Sequence, residues 1–139
     1  MALIELDTDA RDNGLAGMIR DLISQNLANH ADREKDLKAL DGNIAIVARD
    51  IEVSLTLVCT RGSVVIHDGV RPPCKLTITT DSDNILKLST LKITGGLPNY
   101  FDKTGREILG LLFGGKLKIR GLLAHPVLLT RITRLFSVY

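Results

Sequence analysis

The sequence predicts an α+β fold, with a largely antiparallel sheet of five strands covered by helices. Three observations predict it. Apolar residues recur at helical spacing over residues 12–29, the period drops to two after Gly42, and helical spacing returns beyond Ser82. Short hairpin-like links, with Arg61-Gly62 the plainest turn signal, join the β-branched runs and favour antiparallel pairing. The composition is that of a globular chain, with 139 residues that are 45% hydrophobic and 24% charged, within the size of one domain. Only 4% is aromatic, so the interior is expected to be aliphatic and easily deformed.

In residues 12–29, Leu15, Met18, Ile19, Leu22, Ile23 and Leu27 form the stripe of an amphipathic helix, with Thr8 or Asp9 as its cap. Leu37 and Leu40 extend a second short turn behind the charged residues 32–36, and Asp41-Gly42 stops it. Residues 1–41 thus read as an N-terminal helical segment. Ile44, Ile46 and Ala48 then alternate on a first strand. On a second, Val53, Leu55, Leu57 and Cys59 alternate against Ser54, Thr56 and Thr60. Residues 63–67 make a third. Asp68-Gly69 and Pro72-Pro73 mark a longer connection before a fourth strand at residues 75–80, which has Leu76 and Ile78 on one face. Asp81 or Ser82 caps a helix carrying Ile85, Leu86 and Leu88. Residues 94–98 read as a loop. Thr104 is the expected cap of a helix at residues 105–113, which Gly114-Gly115 ends. A fifth strand follows at residues 116–120. Pro126 opens a last helix through residue 138, with His125 as a helix-start residue.

Charge is unevenly spread. The net charge of +2 hides a balance of −4 in residues 1–41, zero in 42–102 and +6 in 103–139, where Glu107 is the lone acid. The small total argues against a dedicated nucleic-acid binder, and the later aromatics fall mostly at apolar helix spacing rather than between basic residues. Cys59 and Cys74 make neither a disulfide framework nor a metal site. The start of the sequence lacks a signal-peptide pattern, and no stretch approaches a membrane span. The expectation is a soluble cytoplasmic protein with free thiols.

Signals of chemistry dissolve on inspection. Gly110 to Lys116 has the spacing of a phosphate-binding loop, but Leu117 stands where Ser or Thr would hold magnesium. The order is also reversed, helix before strand, so no helix N-terminus meets the phosphate. His30, His67 and His125 are scattered without a relay carboxylate or metal spacing. Asp81 and Asp83 lack the Gly and Glu of a calcium loop. Ser63 and Ser89 sit in no nucleophile elbow. No catalytic residue, metal or cofactor is expected.

The string Phe113-Gly114-Gly115-Lys116-Leu117-Lys118-Ile119-Arg120-Gly121, followed by a terminal helix, resembles the sterol carrier protein type-2 family. The strand run of residues 44–67 fits that family's opening meander, and the likeness covers roughly residues 40–139. The resemblance implies a five-stranded, mostly antiparallel sheet with helices over one face and an apolar tunnel between them. It also implies non-catalytic binding of sterols, fatty acyl chains or other lipids, some members being accessory factors in isoprenoid-quinone synthesis. The chain departs from the family in two places: Leu122-Leu123 replaces the usual polar residue after the closing Gly, and the meander lacks a Trp.

The residues themselves support an apolar site. The helix at 105–113 and the last helix are apolar over wide arcs, and one sheet face does not obviously cover both. A ligand, a second subunit or a membrane would cover the rest, although most such stripes simply pack as core. The candidate ligand wall is Leu55, Leu57, Phe101, Ile108, Leu111, Leu112, Phe113, Leu128, Ile132, Leu135 and Phe136. Lys116, Lys118, Arg120, Arg131 and Arg134 are candidates for contact with an anionic membrane headgroup, the plain alternative being a solvated face or a protected strand edge. Thr56, Thr77, Tyr100 and His125 are candidates for orienting a ligand. The expected function is lipid binding or transfer, with movement of the last helix for exchange. The alternatives are an interaction module whose apolar surface is a homodimer or enzyme-subunit contact, and a subunit lending a hydrophobic pocket to a biosynthetic enzyme.

Overall fold

The computed structural model describes residues 3–94 and 97–139. Strand β1 (Leu3–Leu6) and a 3-10 turn (Thr8–Ala10) lead into helices α1 (Gly14–Asn29) and α2 (Arg33–Ala39). Four strands follow: β2 (Asp41–Ala48), β3 (Val53–Thr60), β4 (Ser63–Asp68) and β5 (Leu76–Thr80). Helix α3 (Ser82–Leu88), the short pair β6 (Ile93–Thr94) and β7 (Leu97–Pro98), α4 (Lys103–Phe113), β8 (Lys118–Arg120) and α5 (Pro126–Phe136) complete the order.

The main sheet has six strands in the order β1-β4-β3-β2-β5-β8, and it is mixed rather than five-stranded and mostly antiparallel. Two pairings account for the difference. Strand β1, in the segment expected to be helical, pairs parallel with β4 in register Ile4 to Val64. Strand β5 runs parallel to β2, Ile46 facing Ile78. The reason lies in the 69–74 connection, which crosses the sheet face opposite the helices instead of folding back. Buried Thr56 fixes it there: its hydroxyl donates to the Gly69 carbonyl (2.7 Å) and accepts from the Arg71 amide (2.9 Å). Asn43 holds the Arg71 carbonyl at 3.0 Å.

The registers place Ile44, Ile46, Leu55, Leu57, Ile66, Leu76 and Ile78 on one face. That face meets the helices in two apolar clusters. The larger joins β2–β4 to Leu15, Ile19 and Ile23 of α1, Leu37 of α2, and Ile132, Leu135 and Phe136 of α5. The smaller lies at the β5–β8 side and consists of Ile78, Leu91, Ile108 and Leu117 with half-buried neighbours.

The helix starts differ in detail from expectation. Residues 8–10 are taken up in the 3-10 turn, so Asn13, not Thr8 or Asp9, caps α1 by accepting from the Ala16 amide (3.0 Å). Asp102 rather than Thr104 caps α4, accepting from the Gly105 amide at 2.7 Å. His125 does precede Pro126 at the start of α5. Of the expected 94–98 loop, Thr94, Leu97 and Pro98 belong to the β6–β7 pair, while Gly95 and Gly96 lie outside the described residues.

Candidate functional site

The smaller cluster does not fill its volume. Between it and the helices lies an apolar pocket of about 240 Å³. Ile78 of β5, Ile119 of β8 and Leu117 just before that strand form its floor. Leu88 and Leu91, Ile108, Leu109 and Leu112 of α4, and Leu129, Ile132, Thr133 and Phe136 of α5 form its walls, with Tyr100 and Leu122 at the connections. Helices α1 and α2 cover the centre of the sheet and leave this edge to α3, α4 and α5. Gly105 sets how closely α4 approaches: a Cβ there would stand 2.2 Å from the Asn99 carbonyl oxygen and 2.4 Å from the Tyr100 Cα. That contact seats Tyr100 against the pocket.

The lining carries two hydroxyls. Thr133 donates its own to the Leu129 carbonyl at 2.7 Å, and burial pushes the Tyr100 phenol up from its ordinary range. Tyr100 is the sole titratable group of the lining, so the wall offers neither a nucleophile nor a base near neutral pH. It can bury hydrocarbon at roughly 25 cal/mol per Å². An apolar cavity of ~150 Å³ accepts benzene. In proportion, this pocket holds roughly ten carbons, a chain segment rather than a whole sterol.

Helix α5 is firmly held. Arg33 of α2 is buried, and its guanidinium donates to the carbonyls of Arg134, Ser137 (2.9 Å) and Tyr139 (2.5 Å). Asn26 of α1 donates to the Leu135 carbonyl at 2.8 Å. The Arg134, Leu135 and Ser137 carbonyls are ones that the helix end leaves without intrahelical partners, the Tyr139 bond ties down the segment beyond it, and the cation suits the negative end of the helix dipole. Buried Asp36 lies 3.0 Å from the Arg134 Nε and 3.8 Å from Arg131. Burial raises its carboxyl pKa, against the pull of these arginines.

The structure divides the expected ligand wall. Ile108, Leu112, Ile132 and Phe136 line the pocket. Leu55, Leu57 and Leu135 are fully buried in the larger cluster, and Leu128 packs against it. Leu111 packs against the smaller cluster without lining the pocket. Phe101 and Phe113 are exposed. Of the expected orienting groups only Tyr100 reaches the pocket. Thr56 is bound to the 69–74 connection. Thr77 shares the opposite sheet face, and His125 borders a separate polar groove with Asp41 and Arg61. Among the basic candidates Lys116, Lys118 and Arg120 are exposed, whereas Arg131 and Arg134 are engaged with Asp36 and Asp32.

The lining residues missing from the expectation include Ile78, Leu117 and Ile119, whose inward alternation is a usable signal, and Leu122, at the corner where the chain departs from the family pattern. A second grouping, Asp7, Asp9 and His67, is invisible in the sequence because the β1–β4 pairing assembles it. The His67 Nδ1 stands 3.5 and 3.7 Å from the two carboxylates, and Arg71 pairs with Asp9.

No protein-family model matches the sequence, and no curated protein is similar to it in sequence. Solved structures do match. A protein described as "UbiJ-SCP2 Ubiquinone synthesis protein" aligns over 88% of this chain and 91% of its own, with a TM-score of 0.60 at 15% identity. Sterol carrier protein 2 aligns over 86% and 91%, with a TM-score of 0.52 at 14% identity. A conserved hypothetical protein from Thermus Thermophilus, described as possibly a sterol carrier protein, aligns over 83% and 79%, at 0.50 and 13%. The chain therefore has the sterol-carrier-protein-2-like fold, as the string around Lys116 implied. Among the described residues no helix is long and apolar enough to cross a membrane.

Proposed function

We propose that the protein is a non-catalytic, cytoplasmic holder of an apolar chain, taking a fatty acyl or isoprenoid segment into the pocket between β5, β8 and helices α3–α5. The lining carries this reading: fourteen residues converge there, and all but Tyr100 and Thr133 present hydrocarbon alone. Tyr100 is the group placed to orient a polar end. The size favours a segment of roughly ten carbons over a complete sterol. Because α5 is clamped by Arg33 and Asn26, α4 is the wall that parts during exchange, not the last helix.

The likeness in fold to the UbiJ-SCP2 ubiquinone synthesis protein favours a place beside isoprenoid-quinone synthesis, where a lipid intermediate needs a carrier or an accessory subunit. In that setting the exposed Lys116, Lys118 and Arg120 serve as the basic contact with an anionic surface or an acidic partner.

Native mass spectrometry with organic extraction of the purified protein tests the reading, together with calorimetric titration of decanoate and geraniol, each of ten carbons. Binding of either, abolished by Ile108→Trp, is expected. A ligand-free protein that takes neither probe, or a homodimer with a filled interior, overturns it.

A further inference from the structure

Three pocket-lining residues, Tyr100, Leu112 and Leu122, are each followed directly in the chain by a large apolar residue turned to solvent. These are Phe101, 90% exposed, Phe113, 83%, and Leu123, 96%, the three most exposed large hydrophobic side chains among the described residues. The chain has three phenylalanines in all, so two of them stand in water, at the two ends of α4 and each next in sequence to a lining residue. Resting on the reading of the pocket as a lipid site, we propose that Phe101, Phe113 and Leu123 form a rim that inserts into an anionic bilayer, so that cargo passes between membrane and pocket without crossing water.

Charge selects the partner. Lys103, Arg106 and Lys116 are exposed along and just beyond the same helix α4. Of the two acids nearby, Glu107 pairs with Lys87 at 3.2 Å, and Asp102, which accepts from the Gly105 amide at 2.7 Å, leaves the three cations in excess. A cation close to an anionic leaflet adds about 1 kcal/mol. Separate projecting side chains around an opening also suit a fluid hydrocarbon phase, which accepts each one without a matched surface. A protein partner would need shape complementarity across the gaps. Phe and Leu are among the side chains that surface-lying segments bury at the headgroup–acyl boundary.

The test uses vesicles of phosphatidylcholine with 30% phosphatidylglycerol, and of phosphatidylcholine alone, sedimented with the full chain. Phe101→Asp and Phe113→Asp are each expected to weaken binding to the anionic vesicles at least tenfold, while melting temperature and decanoate uptake in membrane-free solution stay unchanged. Because the chain has no tryptophan, Phe113→Trp supplies a single reporter without loss of apolar character, and its emission is expected to shift to the blue on anionic vesicles. Equal vesicle binding by parent and Asp variants, or no shift of the reporter, overturns the rim. A parent dimer that the Asp variants convert to monomer also overturns it, assigning the three side chains to a subunit contact. Decanoate uptake is read separately, so failure of the rim and failure of the pocket are distinguishable.

Discussion

Arg33→Met keeps the length of a buried side chain and removes its guanidinium. Three carbonyls around the end of α5, those of Arg134, Ser137 and Tyr139, then lose their donor, the Ser137 carbonyl in a fully buried setting where water does not replace it. Truncating one member of a buried charged network costs roughly 3–5 kcal/mol, and the apolar methionine offsets part of that. A net loss of about 3–4 kcal/mol is expected, against a total of roughly 5–15 kcal/mol for a domain of this size. At about 4 °C per kcal/mol the melting temperature should fall by roughly 12–16 °C. Urea unfolding at pH 7, followed by circular dichroism, measures the loss. Arg33→Lys retains the charge but not the planar fork, and should recover less than half of it. Lys38→Ala breaks only the exposed pair with Glu34 at 3.7 Å and should cost under ~0.5 kcal/mol. A loss below about 1 kcal/mol for Arg33→Met would falsify the claim that this side chain clamps α5.

Cys59 is buried, and burial pushes its thiol up to about 12. The folded state prefers the neutral thiol. Its contribution is therefore intact below about pH 9 and declines above it by about 1.4 kcal/mol per pH unit, until the folded group itself ionises. Cys59→Val should remove roughly 2 kcal/mol of the stability difference between about pH 8 and pH 10.5, and an unchanged alkaline slope in the variant would sink this account. Gly121 adopts φ +90°, and a Cβ there would lie 2.1 Å from the Lys75 carbonyl oxygen. Gly121→Ala should cost at least ~2 kcal/mol in denaturant unfolding, and a neutral result refutes the close approach. Gly105→Ala, whose Cβ would meet backbone atoms of Asn99 and Tyr100 at 2.2–2.7 Å, should push α4 off the 99–100 segment, weaken decanoate binding about tenfold and cost at least as much stability as Gly121→Ala. Calorimetric affinities equal to the parent's would show that this approach does not shape the pocket.

Much of this is legible from periodicity. The stripes of α1, α4 and α5 and the alternation in β2–β5 identify the elements, and Ile108, Leu112, Ile132 and Phe136 fall in the pocket as their wide apolar arcs suggest. What periodicity does not contain is long-range pairing. Four residues of β1 carry too short a pattern, and their partner β4 lies about sixty residues away. Nothing near Gly69 tells that the chain will cross the sheet, so the sequence does not place β5 beside β2. The same gap misplaces Leu55 and Leu57. Alternation turns them toward the helices, but strand order decides which helices, and theirs is the packed side under α1 and α5. Phe101 and Phe113 are apolar by type and exposed by position, a distinction that no period contains.

The unequal division of the interior has an evolutionary consequence. Substitutions in the larger cluster strike the part that keeps the chain folded, where losing a leucine or isoleucine side chain costs roughly 2–5 kcal/mol. Those around Leu109, Leu112 and Leu122 reshape space that is already vacant, on half-buried side chains at the margin of the sheet. Cargo preference can therefore drift while foldedness is conserved, so that diverged copies of this architecture could swap one oily guest for another through a handful of changes on α4 and the β8–α5 corner.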